Sequence, residues 1–123
     1  MIEIQLFPEK GRGVVATQLI PQGTLIEKSP VVEFSIKDRS LLDSTKVFKY
    51  YFVIPSEYDK SKQVKAYIVF GLASFCNHSE TPNTYINWVE EETGLWAHLI
   101  ASEDIKPGEE CSLFYTNIDQ YSF

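Results

Sequence analysis

Hydrophobic and polar residues alternate at the start of the chain, where Glu3 and Gln5 separate Ile2, Ile4 and Leu6. A period of two puts every second side chain on one face, so a half-buried strand is expected. Pro8, Lys10, Gly11, Arg12 and Gly13 predict a turn that closes it, with both glycines in a loop. Val14-Val15-Ala16 begins a second short strand, Pro21-Gln22-Gly23 turns the chain, and Thr24-Leu25-Ile26-Glu27 begins a third. Pro30 is expected to interrupt, leaving Val31 to Ile36 as a separate strand.

From Lys37 to Lys65 the pattern changes. Ser40 and Asp43 have capping-box spacing ahead of Val47, Phe48, Tyr51 and Phe52, which predicts a short helix, although the aromatic run also suits a strand. Pro55 and the run Glu57-Tyr58-Asp59-Lys60-Ser61-Lys62 read as an exposed loop without chemistry. Ala66 to Cys76 is apolar and fits a helix or a buried strand. Tyr85–Val89 and Leu95–Ala101 predict a hairpin around a wet tip of three glutamates and Gly94. Lys106-Pro107-Gly108 turns into a last strand, Cys111–Tyr115, and no repeat, linker or low-complexity tract follows or precedes it.

Composition narrows the function classes. The 123 residues are 44% hydrophobic and 23% charged, which suits a single globular domain. Seventeen acidic against eleven basic residues leave a net charge of −6, which disfavours neutralising nucleic-acid phosphates and favours a basic partner. The N-terminus has no apolar signal core and no stretch is long enough to span a membrane, so a soluble, non-secreted protein is expected, cytoplasmic or, in a eukaryote, nuclear. Cys76 and Cys111 form no CxxC pair and read as small buried hydrophobes. Together with His78 and His98 they match no zinc module spacing, and no positioned third group supports a Cys-His protease.

Three motifs are weak singly. Gly11-Arg12-Gly13-Val14 permits close backbone approach, yet no helix is expected after it, which excludes a dinucleotide fingerprint. Asn77-His78-Ser79 with Pro82-Asn83 is a compact polar turn that could bond only its own backbone. Gly108-Glu109-Glu110 leads through a strand to Tyr115, by itself an ordinary packing residue. In this order, and with Ile20 to Ile26 and Ile105 to Glu110 between them, they resemble the SET domain of protein-lysine methyltransferases from Gly11 to Tyr115.

The resemblance implies a mainly β fold, a β-clip of several short antiparallel sheets with a C-terminal pseudoknot and one or two short helices. Residues 1–123 would be one minimal SET domain, similar to small bacterial and viral members, with 37–65 as a variable insert. It implies transfer of a methyl group from S-adenosylmethionine, leaving S-adenosylhomocysteine, to a lysine amine of a basic protein or peptide such as a histone. Gly11, Arg12, Gly13, Asn77, His78 and Tyr115 would bind the cofactor, with Tyr115 also catalytic. Tyr85, Phe114, Tyr121 and Phe123 are candidates for the substrate-lysine channel.

The chain departs from the family at several positions. Glu80 stands where a cysteine often follows the NHS motif, Phe114 where Asp or Asn often precedes the tyrosine, and Ser74 where arginine sometimes occurs. No cysteine cluster follows Tyr115, so no zinc-binding post-SET module and no metal are expected, and Tyr121, Phe123 or a neighbouring subunit of a homodimer would finish the channel. Two readings follow: an active methyltransferase, favoured by Tyr115 with Asn77-His78, and a SET-like binding or scaffold module without turnover, favoured by Phe114 and the missing module.

Overall fold

The computed structural model describes residues 1–58 and 63–121. Two four-stranded sheets carry the chain. In the first, β1 (Ile2–Phe7) pairs antiparallel with β2 (Gly11–Ala16) from Ile2↔Ala16 to Phe7↔Gly11. The glycines expected in a loop therefore lie in β2, because Gly11 at φ +81° makes the tight reversal itself and pairing resumes at once. β2 also pairs with β8 (Glu110–Leu113), and β8 pairs in parallel with β5 (Asn77–His78), as Asn77↔Ser112 and His78↔Leu113. That parallel pair brings the NHS segment alongside the C-terminal strand.

The second sheet has the order β4 (Ala66–Val69), β3 (Leu25–Phe34), β7 (Gly94–Ala101) and β6 (Thr84–Glu91). The predicted hairpin is present, paired from Thr84↔Ala101 to Glu91↔Gly94. Pro30 does not interrupt β3. Its carbonyl accepts from the Phe70 N–H at 3.0 Å, so its missing N–H lies on the β4 side at the very end of that ladder; only one terminal bond is forgone, and β3 stays paired with β7 along its other edge. Opposite β7, the register shifts between Leu25 and Glu27. The extra residue, Ile26, turns Glu27 onto the same face as the buried Leu99.

The segment after β3 is helical, with different boundaries from those expected. Ile36 belongs to α1 (Ile36–Leu42), whose cap is Ser35, not Ser40; the Ser35 hydroxyl accepts from the Asp38 N–H at 3.1 Å. The Ser40 hydroxyl instead donates to the Lys37 carbonyl inside the helix. A 3₁₀ turn, Lys46–Lys49, precedes the aromatic run. The start of the expected exposed loop is a helix, α2 (Pro55–Tyr58), with Tyr58 buried, while residues 59–62 lie outside the described ones. Ala66 to Cys76 divides into β4 and a 3₁₀ turn, Leu72–Phe75.

Two hydrophobic clusters result. The larger joins Val14, Ile20, Leu99, Ile105, Cys111 and Leu113 with Cys76, and both cysteines are free and buried. The smaller, around Tyr51, Val53, Tyr58, Val64 and Ala66, gives the segment from α1 to β4 a core of its own. Among the described residues no helix is long and apolar enough to cross a membrane.

Candidate active site

Three pieces of backbone converge at the C-terminal end of β8. Tyr115 follows that strand, and its N–H donates to His78 Nδ1 at 2.9 Å. Its hydroxyl donates to the Cys76 carbonyl at 2.7 Å. The tyrosine is thereby pinned at both ends by residues 37 and 39 positions away. Burial, with smaller contributions from Tyr121 and Cys76, pushes the Tyr115 phenol well above its ordinary range, so it stays protonated at neutral pH.

The NHS segment is itself anchored from below. Both Glu27 oxygens accept backbone N–H groups, from Leu72 at 2.9 Å and Ala73 at 3.0 Å, at the start of the 3₁₀ turn that leads into Cys76. A Cβ on Gly71 would strike Ser29 Oγ and lie 2.6 Å from Glu27 Oε1, so glycine is required there for this carboxylate to approach. The Asn77 amide donates to Glu110 Oε2 at 2.7 Å and to the Arg12 carbonyl at 3.3 Å, and Lys10 Nζ lies 2.7 Å from Glu110 Oε1. His78 packs against Phe114 and Tyr115, with ring centroids 4.9 and 5.3 Å apart.

Two cavities meet here and share Lys49, Tyr50, Ser74, Tyr115 and Tyr121. The wider, about 740 Å³, is bordered by Lys10, Gly11, Arg12, Phe75, Asn77 and His78. The Arg12 guanidinium stacks 4.8 Å above the Phe75 ring, which leaves cationic and aromatic surface facing any occupant. The other, about 370 Å³, runs from Tyr115 past Tyr85, Phe114 and Tyr121 to Phe52 and Trp88. Its walls are mostly apolar, a setting that disfavours a charged amine.

Five of the six expected cofactor residues border the wider cavity. Gly13 does not: a Cβ there would lie 2.6 to 2.8 Å from Phe7 Cε2, Asn77 Nδ2 and Glu110 Oε2, so its role is to admit the protein's own side chains. Tyr85, Phe114 and Tyr121 share the narrower cavity, while Phe123 lies outside the described residues. Lys49, Tyr50, Phe52 and Trp88 were not singled out as site residues from the sequence. The aromatic run Tyr50-Tyr51-Phe52 was the available signal: all three border the narrower cavity, and Tyr51 belongs to the smaller core as well. Among the described residues no group of His, Cys, Asp or Glu is arranged to hold a metal ion.

Comparison with known proteins places this geometry. The SET domain family model matches residues 11–116. A Schizosaccharomyces pombe histone-lysine N-methyltransferase specific for H3 lysine-37 is 32% identical over 114 residues, covering 93% of this chain and 72% of the relative. A Saccharomyces cerevisiae histone-lysine N-methyltransferase specific for H3 lysine-36 is 34% identical over 116 residues; the match covers 91% of this chain but only 15% of that protein. Among solved structures, a Neurospora SET domain protein described as a histone lysine methyltransferase superposes with a TM-score of 0.71 at 18% identity, covering 99% of this chain and 54% of that one, a likeness of fold. The family match takes in the glycine motif, the NHS segment and Tyr115 alike, and the chain belongs to the SET domain family.

Proposed function

We propose that this chain is a protein-lysine N-methyltransferase that takes its methyl group from S-adenosylmethionine and methylates lysine side chains of a basic protein of the histone kind. The observation that carries the reading is the position of Tyr115, on the wall common to both cavities and held by His78 and Cys76. The names of the relatives support the reaction class.

The wider cavity fits the cofactor chemically. A zwitterion bearing an adenine ring needs a cation for its carboxylate and aromatic surface for its base, and Arg12, Lys10, Lys49, Phe75 and Tyr50 border one volume in the usual size range for such ligands. Bound there, the cofactor supplies an activated methyl on a sulfonium. Gly11, Arg12, Asn77 and His78 would hold it. Asn77 is oriented for this by Glu110, and His78 by the Tyr115 N–H.

The acceptor lysine would enter by the narrower cavity. A free lysine amine is about three units above neutrality, so the reactive neutral form costs about 4 kcal/mol at pH 7. The apolar walls made by Tyr85, Phe114 and Tyr121 lower that cost by excluding water. Tyr115 remains neutral and is no general base. With its proton committed to the Cys76 carbonyl, its oxygen presents lone pairs that orient the amine for in-line attack. We read the chain as a single domain in which 37–65 is the variable part.

A radiolabelled methyl-transfer assay on lysine-rich proteins, with Tyr115→Phe as control, tests this reading. The variant is expected to bind cofactor and to lose at least about a hundredfold in turnover, the scale of a misoriented reactant. Near-normal transfer by the variant would remove Tyr115 from catalysis. Cofactor binding by the wild type with no transfer to any lysine would leave the scaffold reading in its place.

A further inference from the structure

The only buried residue of α1 is a charged one, Arg39, 6% exposed. Its guanidinium is spent in three directions. Nε donates to the Tyr51 hydroxyl at 2.9 Å, Nη1 to the Val64 carbonyl at 3.0 Å, and Nη2 to Gln120 Oε1 at 2.7 Å. Asp43 supplies partial neutralisation, 3.8 Å from Nε, and accepts the Tyr51 hydroxyl proton at 2.6 Å. Taking a guanidinium out of water is costly, and a hydrophobic residue would fill the same space more cheaply. What arginine adds is a rigid planar fork that fixes separate pieces of chain at defined angles.

The piece fixed by Nη2 is the C-terminal 3₁₀ turn, Ile118–Gln120. Three consecutive residues of that region are gripped from the segment between α1 and β4. Tyr58 donates its hydroxyl to Asp119, Arg39 holds Gln120, and the Phe48 ring lies 5.1 Å from that of Tyr121. Tyr121 in turn lies 5.2 Å from Tyr115 and forms part of the wall shared by both cavities.

We propose that Arg39 is a positioning residue of this site: through Gln120 it locks the C-terminal turn so that Tyr121 completes the acceptor channel beside Tyr115. The segment from α1 to β4 is then the clamp that holds Tyr121, one of the groups expected to finish the channel, in its wall. Burial of the Tyr121 phenol, which raises its pKa to about 12, agrees with a ring held in a wall rather than frayed into solvent. The kinetic part of this inference rests on the proposed methyltransferase reading; the structural part does not.

Gln120 carries the test, because changing Arg39 would disturb the small core as well. Gln120 is exposed, and Gln120→Ala removes one acceptor, shared by Arg39 Nη2 at 2.7 Å and the buried Asn117 amide at 3.2 Å, while Arg39 keeps Tyr51 and Val64. In Gln120→Ala, amide hydrogen exchange in residues 117–121 is expected to speed up about tenfold, the size of one charge-assisted hydrogen bond, with the rest of the chain unchanged. The KM for a lysine-rich peptide should rise about tenfold at a kcat within about twofold of wild type, because closure of the channel is lost and the chemistry is not. Gln120→Glu, which keeps the acceptor, should restore both.

Unchanged exchange in Gln120→Ala would overturn the clamp, as would losses that Gln120→Glu fails to restore. Faster exchange at an unchanged KM would overturn the positioning role. A wild-type chain that transfers no methyl group fails the methyltransferase reading instead, and exchange then decides whether the clamp exists.

Discussion

Replacing Gly13 by alanine should cost the fold far more than replacing Gly11, two residues earlier in the same motif. At Gly13 a Cβ would lie 2.6 Å from Phe7 Cε2 and 2.8 Å from both Asn77 Nδ2 and Glu110 Oε2. Those last two atoms are the donor and acceptor of one hydrogen bond, so a methyl group can enter only by displacing it. Overpacking of this kind costs about 1–3 kcal/mol, and a broken bond to a carboxylate about 1.5–3 kcal/mol if both partners stay in place. Together they give an expected loss of about 2.5–6 kcal/mol for Gly13→Ala. At Gly11 nothing lies within 4 Å, and only the left-handed backbone, φ +81°, opposes a side chain, at about 1 kcal/mol. Urea unfolding measures both losses, and calorimetry with S-adenosylhomocysteine measures the site. Gly13→Ala should weaken binding at least about tenfold by misplacing Asn77. Equal losses of stability from the two substitutions, or full stability and affinity in Gly13→Ala, would refute the reasoning.

Three further outcomes follow from the same contacts. Glu27→Gln swaps one carboxylate acceptor for an NH₂ facing a backbone N–H, and should lower stability by about 1.5–3 kcal/mol and speed exchange at Leu72 and Ala73; unaltered exchange there would show that another group anchors the NHS segment. Burial raises the pKa of the Cys111 thiol to about 11 and of the Tyr121 phenol to about 12, from 9.0 and 10.0. The unfolded chain therefore releases these protons first, so stability present below about pH 9 should fall as pH rises through 9 to 12, and a urea midpoint flat to pH 11 would contradict this. Because burial also raises the Cys76 thiol, both cysteines should resist alkylation in the native protein at pH 8 and react fully in urea; rapid native labelling of either would argue against their place in the core.

Where a signal was local, the sequence was readable. The β6–β7 hairpin follows from period-two alternation closed by Gly94 at φ +114°, and the turn before β8 from Pro107 and Gly108 at φ +86°. Ser35 and Ser40 show the limit of a local signal. Both stand three residues before an aspartate, and only the end of β3 at Phe34 decides which one caps the helix. Pro30 was misread for a similar reason, since a proline interrupts a strand only where a partner needs its N–H, and the length of β4 settles that.

Order and residue type along the chain determined the family, because the glycine motif, the NHS segment and Tyr115 carry their spacing with them. Tertiary structure alone decided which side chains those motifs meet. The parallel pairing of β5 with β8 sets Tyr115 against Cys76 and His78, and the β3 bulge turns Glu27 inward beneath the NHS segment. Arg39 and Gln120 are 81 residues apart. No periodicity links such positions, because a hydrogen bond between distant residues depends on where packing brings the chain together and leaves no repeat in the sequence.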